Sequence, residues 1–162
     1  MTLPDMGPDR YNPVAGSLKK KSDQMTYCCG VLVRDGLVMI ADTRTNAGLD
    51  NVSTFRKLHV FTQPGERIMA LASSGNLSLS QSVRSTLTEG VANPDTGELE
   101  TLLNSPTMFK AAQRIGRTIR DLQSAEGKAL QAAEIDHDVA FLFGGQIKGE
   151  RLRLFMIYSA GN

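Results

Sequence analysis

The chain has 162 residues, which at about 150 residues per domain predicts a single domain. Its formal net charge of +1 argues against nucleic acid or an anionic membrane as a main partner. No run of about 18 apolar residues occurs, and residues 1–24 lack the apolar centre of a signal peptide, so the cytoplasm is the expected location.

Residues 1–24 are predicted to form a disordered leader. They contain several prolines and a basic run, Lys19 to Lys21, without hydrophobic periodicity. The basic run is interpreted as solvated. The ordered domain is predicted at residues 25–162.

A β-hairpin is predicted directly after the leader. Apolar runs at 26–33 and 37–41 flank Asp35 and Gly36, and Asp-Gly between two apolar runs is a strong hairpin signal. The two strands therefore pair antiparallel and bring their outer ends together.

The length of the hairpin turn decides which side chains meet. A three-residue turn at 34–36 would place Thr26 opposite Arg44 and Cys28 opposite Asp42, and opposed residues share a sheet face. Asp42 would then lie diagonally from Thr26. A two-residue turn at Asp35 and Gly36 would send Asp42 to the other face, so the proposed chemistry depends on the longer turn.

A polar loop begins at Asp42, and a third strand is predicted from about Arg56, with Lys57 at its start. A fourth strand is predicted at 67–72. The small residues at 73–75 then lead into a helix, for which Ser74 or Asn76 is a possible cap. Backbone N–H groups exposed where a strand ends and a helix begins are suited to binding an oxyanion.

The second half of the chain is predicted to form a helix and two more strands. Residues 91–97 are predicted as a loop, 98–104 as a short helix or turn, and Ser105 with Pro106 as the start of a long amphipathic helix. Strands follow at 138–147 and 151–159.

Neither the cysteines nor the histidines form a ligand-spaced cluster, so no metal or other cofactor is predicted. Adjacent Cys28 and Cys29 point to opposite faces of a strand, which makes a bridge between them geometrically poor. A thiol nucleophile is an alternative, but His59 and His137 are distant in sequence. We expect reduced, structural cysteines.

The order of these residues resembles a known family. Thr26, the run A-D-T-R-T-N-A-G at 41–48, and Lys57 before an apolar strand resemble the start of a proteasome β-type subunit. The sequence M-T-Y-C at 25–28 and the run at 50–61 resemble the Anbu family, the bacterial proteasome homologues, more closely than other proteasome β-type subunits. The resemblance is dense from residue 25 to about residue 83.

The resemblance implies an α+β fold of the N-terminal nucleophile hydrolase type, an αββα sandwich of two antiparallel sheets between helix layers. It implies a threonine-type peptide hydrolase that works within a ring or helical homo-oligomer, with a separate ATP-dependent unfoldase as a possible partner. The implied site consists of catalytic Thr26, Asp42 and Lys57, with Arg44, Ser73, Ser74 and Gly75 as oxyanion-binding or supporting residues.

A threonine hydroxyl needs a base, and an N-terminal threonine carries one in its own α-amine. Thr26 becomes N-terminal only without residues 1–25. A translation start at Met25 followed by Met removal would achieve this, as would autolysis between Met25 and Thr26; we favour a start assigned too far upstream.

The family continues beyond the last residue of this chain, so a C-terminal truncation is expected. One face of the predicted sheet would then lack its helical cover. Two functions remain open at this point. The chain is either part of a threonine hydrolase or a non-proteolytic scaffold, or inactive truncated subunit, of the same fold.

Overall fold

The computed structural model describes residues 26–46, 52–132 and 138–158. The predicted leader lies outside these residues. In chain order the elements are β1 (Cys28–Val33), β2 (Gly36–Ala41), β3 (Arg44–Asn46), β4 (Val52–Thr54), β5 (Leu58–Gln63), β6 (Arg67–Gly75), α1 (Leu77–Glu89), β7 (Val91–Ala92), β8 (Leu99–Glu100), α2 (Met108–Ala132), β9 (Val139–Ile147) and β10 (Arg153–Tyr158).

Four of these strands form one antiparallel sheet in the order β10-β9-β6-β5. The central strands are rich in apolar residues that alternate between the two faces. Met69 and Leu71 of β6 and Phe143 of β9 are fully buried on one face. Because β6 and β9 each have a neighbour on both sides, they form the centre of the sheet.

Helices α1 and α2 cover one face of this sheet. The apolar stripe of α2 predicted from the sequence contributes Ala112, Ile115 and Ile119 to the core. The full core is the buried cluster of Met69, Leu71, Leu79, Val83, Leu87, Leu102, Met108, Ala111, Ala112, Ile115, Ile119, Val139, Phe141, Phe143, Ile147 and Ile157.

The β1–β2 hairpin packs on the opposite face of the sheet, and glycines let it approach closely. A Cβ atom on Gly30 would lie 2.8 Å from Leu142 Cδ2, and one on Gly144 would lie 2.7 Å from Leu37 Cδ2. The outward side chains of the hairpin are uncovered within the described part of the chain, as the 56% exposure of Ile40 illustrates.

The hairpin turn is shorter than the sequence argument required. Val33 pairs with Gly36, so the turn contains only Arg34 and Asp35. The predicted pairing of Cys28 with Asp42 is therefore wrong, since Cys28 pairs with Ala41. The Asp-Gly signal locates the hairpin but not its central residues, because the glycine belongs to the second strand.

The predicted helix start is correct for α1 but not for α2. Asn76 caps α1 as expected, its side-chain oxygen accepting from the N–H of Leu79 at 2.9 Å. The predicted start of α2 at Ser105 is wrong, because the helix begins at Met108 and Thr107 Oγ1 accepts from the N–H of Lys110. The polar loop after β2 and the segment after α1 also contain short strand pairs that the sequence pattern does not predict.

Two helices packed on an antiparallel sheet make this an α+β fold, as predicted. None of the helices among residues 26–46, 52–132 and 138–158 is long and apolar enough to cross a membrane. The ends of β1, β2, β5 and β6 lie close together at one edge of the molecule, where the predicted site residues are found.

Candidate active site

A lysine amine lies at the centre of this edge. Lys57 is 6% exposed, and its Nζ donates to Thr26 Oγ1 at 3.0 Å and to the two carboxylate oxygens of Asp42 at 3.0 and 3.1 Å. It also donates to the backbone oxygen of Arg44 at 2.6 Å. The structure thus brings together the three residues proposed as catalytic from the sequence, a hydroxyl, a carboxylate and an amine.

Asp42 reaches this position although the expected hairpin register is wrong. Its backbone N–H donates to the carbonyl of Tyr27 at 3.0 Å, and its Oδ1 accepts from the N–H of Tyr27 at 3.0 Å. Asp42 follows the end of β2, so the alternation of the strand no longer dictates its direction. The carboxylate instead turns toward the backbone beside Thr26.

The surroundings of Asp42 favour its ionised form. Burial alone would raise the pKa of the carboxyl group, but hydrogen bonds from Lys57 and from the N–H of Tyr27, the charge of Lys57 and the N–H of Arg44 together lower it. The bond to the N–H two residues on is the Asx arrangement that aspartates adopt after strands. Asp42 therefore holds both the lysine and the backbone in place.

Arg44 contributes its backbone carbonyl to the site. Its side chain is exposed, and only the carbonyl oxygen contacts Lys57. The predicted supporting role therefore rests, in this structure, on a main-chain atom that β3 positions.

Sequence reasoning missed a contact between the first strand and the end of β6. Cys28 Sγ donates to the carbonyl of Ser73 at 3.5 Å. Burial and the charge of Asp42 raise the pKa of the Cys28 thiol, while Lys57 opposes them. A thiol with a raised pKa is a packing and hydrogen-bonding group, in keeping with the structural role expected for Cys28.

The three predicted oxyanion residues differ in the direction of their N–H groups. Ser73 is buried and its N–H donates to the carbonyl of Lys57, so this donor is used within the sheet. Because Asn76 donates to Asp138 on the β9 side, the alternation of strand hydrogen bonds directs the N–H of Ser74 toward β9 as well. The N–H of Gly75 points to the β5 side, beyond the Ser73–Lys57 pair.

A surface cavity of about 350 Å³ opens beside this strand end. It is lined by Ser74, Gly75, Asp138, Val139, Ala140 and Tyr158.

No group of three or more His, Cys, Asp or Glu side chains within the described residues is arranged to hold a metal ion.

Comparison with solved structures gives clear matches. They include an Anbu (Gly-1) mutant from Hyphomicrobium sp. strain MC1 at 42% identity and a TM-score of 0.69, and Anbu from Yersinia bercovieri, described as an ancestral β-subunit, at 40% identity and a TM-score of 0.71. Each match covers 85% of this chain and 54% of the other.

A third match is the helical assembly of the Anbu complex from Pseudomonas aeruginosa, at 37% identity and a TM-score of 0.74. It covers 85% of this chain and 55% of the other, so the present chain spans about half the length of these structures. No protein-family model matches the chain, and no curated protein matches it.

The fold and these matches define the chain as similar to proteasome-like β-subunits. Among them, the resemblance is to Anbu, as the sequence motifs predicted, and it extends over most of the chain.

Proposed function

We propose that this chain carries the nucleophile of a threonine-type peptide hydrolase of the proteasome β family. The observation that supports this most directly is the contact of Lys57 Nζ with both Thr26 Oγ1 and the Asp42 carboxylate. A lysine with a purely structural role would need a carboxylate such as that of Asp42 to balance its charge. It would not also need a contact with the hydroxyl of Thr26.

The proposed reaction is acyl transfer to Thr26 as an N-terminal residue. Oγ1 attacks a peptide carbonyl carbon while its proton passes to the α-amine, which with a pKa near 8 is partly neutral at pH 7. The carbonyl oxygen becomes negative and accepts a hydrogen bond from the N–H of Gly75. Lys57, oriented by Asp42, stabilises the negative charge that develops on Oγ1.

Collapse of this intermediate breaks the C–N bond of the substrate. The departing amine takes the proton from the α-ammonium of Thr26, which leaves an ester on Oγ1 and a neutral α-amine. Water then attacks the ester, and the same α-amine takes a proton from the water. As the ester bond breaks, the α-ammonium returns this proton to Oγ1, which restores Thr26 and releases the carboxylic acid. Residues 1–25 must be absent, since an amide nitrogen at Thr26 is not a base.

We also propose that the domain is the first part of an αββα sandwich. The outward face of the hairpin carries Val31, Val38 and Ile40, each about half exposed. A further helix layer on this face would bury them. Support comes from the matched structures, which are nearly twice as long as the aligned part of this chain.

A homo-oligomer is proposed as the working form, because the relative from Pseudomonas aeruginosa forms a helical assembly. Peptides or unfolded proteins are the proposed substrates. A separate ATP-dependent unfoldase remains a proposed partner, and the cytoplasm a proposed location.

The test compares a chain that begins at Thr26 with the chain that begins at Met1. A peptide epoxyketone, which reacts with both a threonine hydroxyl and its free α-amine, should add once to the shorter chain and not to the longer one, as intact mass would show. Thr26→Ala should abolish the adduct. Thr43→Ala, a matched change at an exposed threonine, should retain it.

Peptide turnover that survives Thr26→Ala would overturn the role of Thr26. A folded chain beginning at Thr26 that neither reacts nor hydrolyses peptides would favour the scaffold function instead.

Lys57→Met should reduce labelling by about 100-fold or more, because the developing oxyanion on Oγ1 loses its nearest cation.

A further inference from the structure

Helix α1 has two unlike flanks. Thr86 lines a cavity of about 240 Å³ toward α2, whereas Arg84, two residues earlier, lies on the side of β5 near His59. Residues on these flanks face different neighbours of α1, so surfaces next to them lie on different sides of the molecule.

The β5 flank is basic. The Nε of Arg84 is buried and has no hydrogen-bond partner among the described residues, although a buried guanidinium nitrogen normally finds one. Arg56 lies just before β5 and is exposed. Burial lowers the pKa of His59, and the charges of Arg84 and Arg56 lower it further, while a backbone hydrogen bond at Arg56 opposes them. Within the part of the chain that the structure describes, this flank therefore lacks a counter-anion.

Among the described residues, no strand pairs with the outer edge of β5 on this flank. β5 is the last strand in the order β10-β9-β6-β5. Because the carbonyl of Lys57 faces β6, alternation directs the backbone groups of Val60 and Thr62 away from the sheet. Arg56 Nε already donates to the carbonyl of Leu58 on this edge at 2.8 Å. We call Arg56, His59 and Arg84 the basic edge.

The segment after α1 has the opposite character. Residues 85–109 contain no lysine, arginine or histidine but include Glu89, Asp95, Glu98 and Glu100. Arg114 neutralises Glu100 at 3.2 Å, whereas Asp95 and Glu98 lie exposed at the tip of the β7–β8 pair. Leu99, next to Glu98, is 55% exposed. We call residues 93–99 the acidic tip.

We propose that the acidic tip of one copy docks on the basic edge of the next copy. Glu98 would supply the missing anion for Arg84. The inference rests on the homo-oligomer proposed above and specifies its contact. Since the two surfaces are unlike and lie on different flanks of α1, the contact is head-to-tail, the type that builds rings or helical filaments rather than closed dimers.

The experiment is a charge swap followed by sedimentation velocity at several protein concentrations. Arg84→Glu and Glu98→Arg alone should each raise the concentration needed for assembly by about tenfold or more, because like charges then meet. An equimolar mixture of the two variants should regain assembly, since the glutamate introduced in one copy would meet the arginine introduced in the other. Arg84→Gln should give a smaller loss without charge repulsion.

Arg34→Glu and Asp35→Arg at the exposed hairpin turn are matched controls that reverse charge in the same way and should assemble as the wild type does. Circular dichroism confirms that each variant is folded. Single variants that assemble normally, or a mixture that fails to recover, would overturn the docking contact alone. A wild-type chain that stays monomeric at every concentration would overturn the homo-oligomer and this contact together.

Discussion

Lys57 is a buried amine whose donors are all used. An ammonium group has three N–H donors and no acceptor, and the Asp42 carboxylate, the carbonyl of Arg44 and the hydroxyl of Thr26 match them. Removing one member of such a buried pair leaves an uncompensated charge, which costs more than the pair itself contributes. The arrangement is therefore sensitive to single substitutions.

Asp42→Asn should destabilise the folded chain. The amide oxygen can still accept from the N–H of Tyr27, but Lys57 loses its counter-charge, so the free energy of unfolding at pH 7 should fall by about 1–3 kcal/mol. Because the folded pKa of Asp42 lies below its unfolded value of 3.8, its contribution is present above about pH 4 and is lost as the pH falls through the folded pKa.

Urea unfolding at pH 7 and at steps below pH 4 measures this. The wild type and Asp42→Asn should converge in stability as the pH falls. Asp35→Asn, an exposed aspartate in the hairpin turn, should match the wild type throughout. A stability gap that stays constant across the acid range would contradict the ionic role of Asp42.

The proposed site is only partly readable from the sequence. Motif order groups Thr26, Asp42 and Lys57, although the hairpin register that supports this grouping on paper is wrong. Asp42 lies past the end of its strand, where a local Asx bond rather than strand alternation sets its direction. The contact of Cys28 with Ser73 joins residues 45 positions apart and has no local signal.

At the level of elements, the junction of β6 and α1 decides where the proposed oxyanion donor points. Gly75 has φ of +99°, and a Cβ there would lie 2.2 Å from the carbonyl oxygen of Asp138. Asn76 follows and donates its N–H to that same oxygen at 2.9 Å. The junction therefore needs glycine for two independent reasons, its backbone conformation and the close approach of β9.

Gly75→Ala should lower the free energy of unfolding by about 2–4 kcal/mol, combining left-handed strain with a steric clash. Gly65→Ala is the matched control, because its φ is +76° and no atom lies within 4 Å of a Cβ placed there. That control should lose only about 1–2 kcal/mol of strain. Equal losses in thermal or urea unfolding would show that the clash at Gly75 relaxes freely.

The elements predicted correctly are those with a strong local pattern. The hairpin, β6, α1 and the long helix follow from apolar periodicity and turn residues. The start of α2 does not, because Ser105 is buried and accepts from Arg114, while Glu150 from a distant turn accepts from the N–H of Met108. The short pairs β3–β4 and β7–β8 span too few residues to show any periodicity.

At the level of the whole molecule, the hairpin has one packed face and one open face. Met39 points toward the sheet, where its sulfur lies 3.1 Å from a Cβ placed on Gly144, and Ile40 points away and is 56% exposed. Substitutions at Met39 and Ile40 therefore test the two faces of the hairpin separately.

Substitution to threonine separates these two faces, because threonine has the β-branched shape that strands favour and removes apolar area at either position. Met39→Thr should cost about 1.5–3 kcal/mol in the free energy of unfolding, and Ile40→Thr no more than about 0.5 kcal/mol. In a longer chain that carries the helix layer proposed for the αββα sandwich, Ile40 becomes buried and its substitution should cost about as much as that of Met39. Urea unfolding of both variants in both chains makes the comparison, and a cost for Ile40→Thr that stays small in the longer chain would contradict a helix layer on the open face.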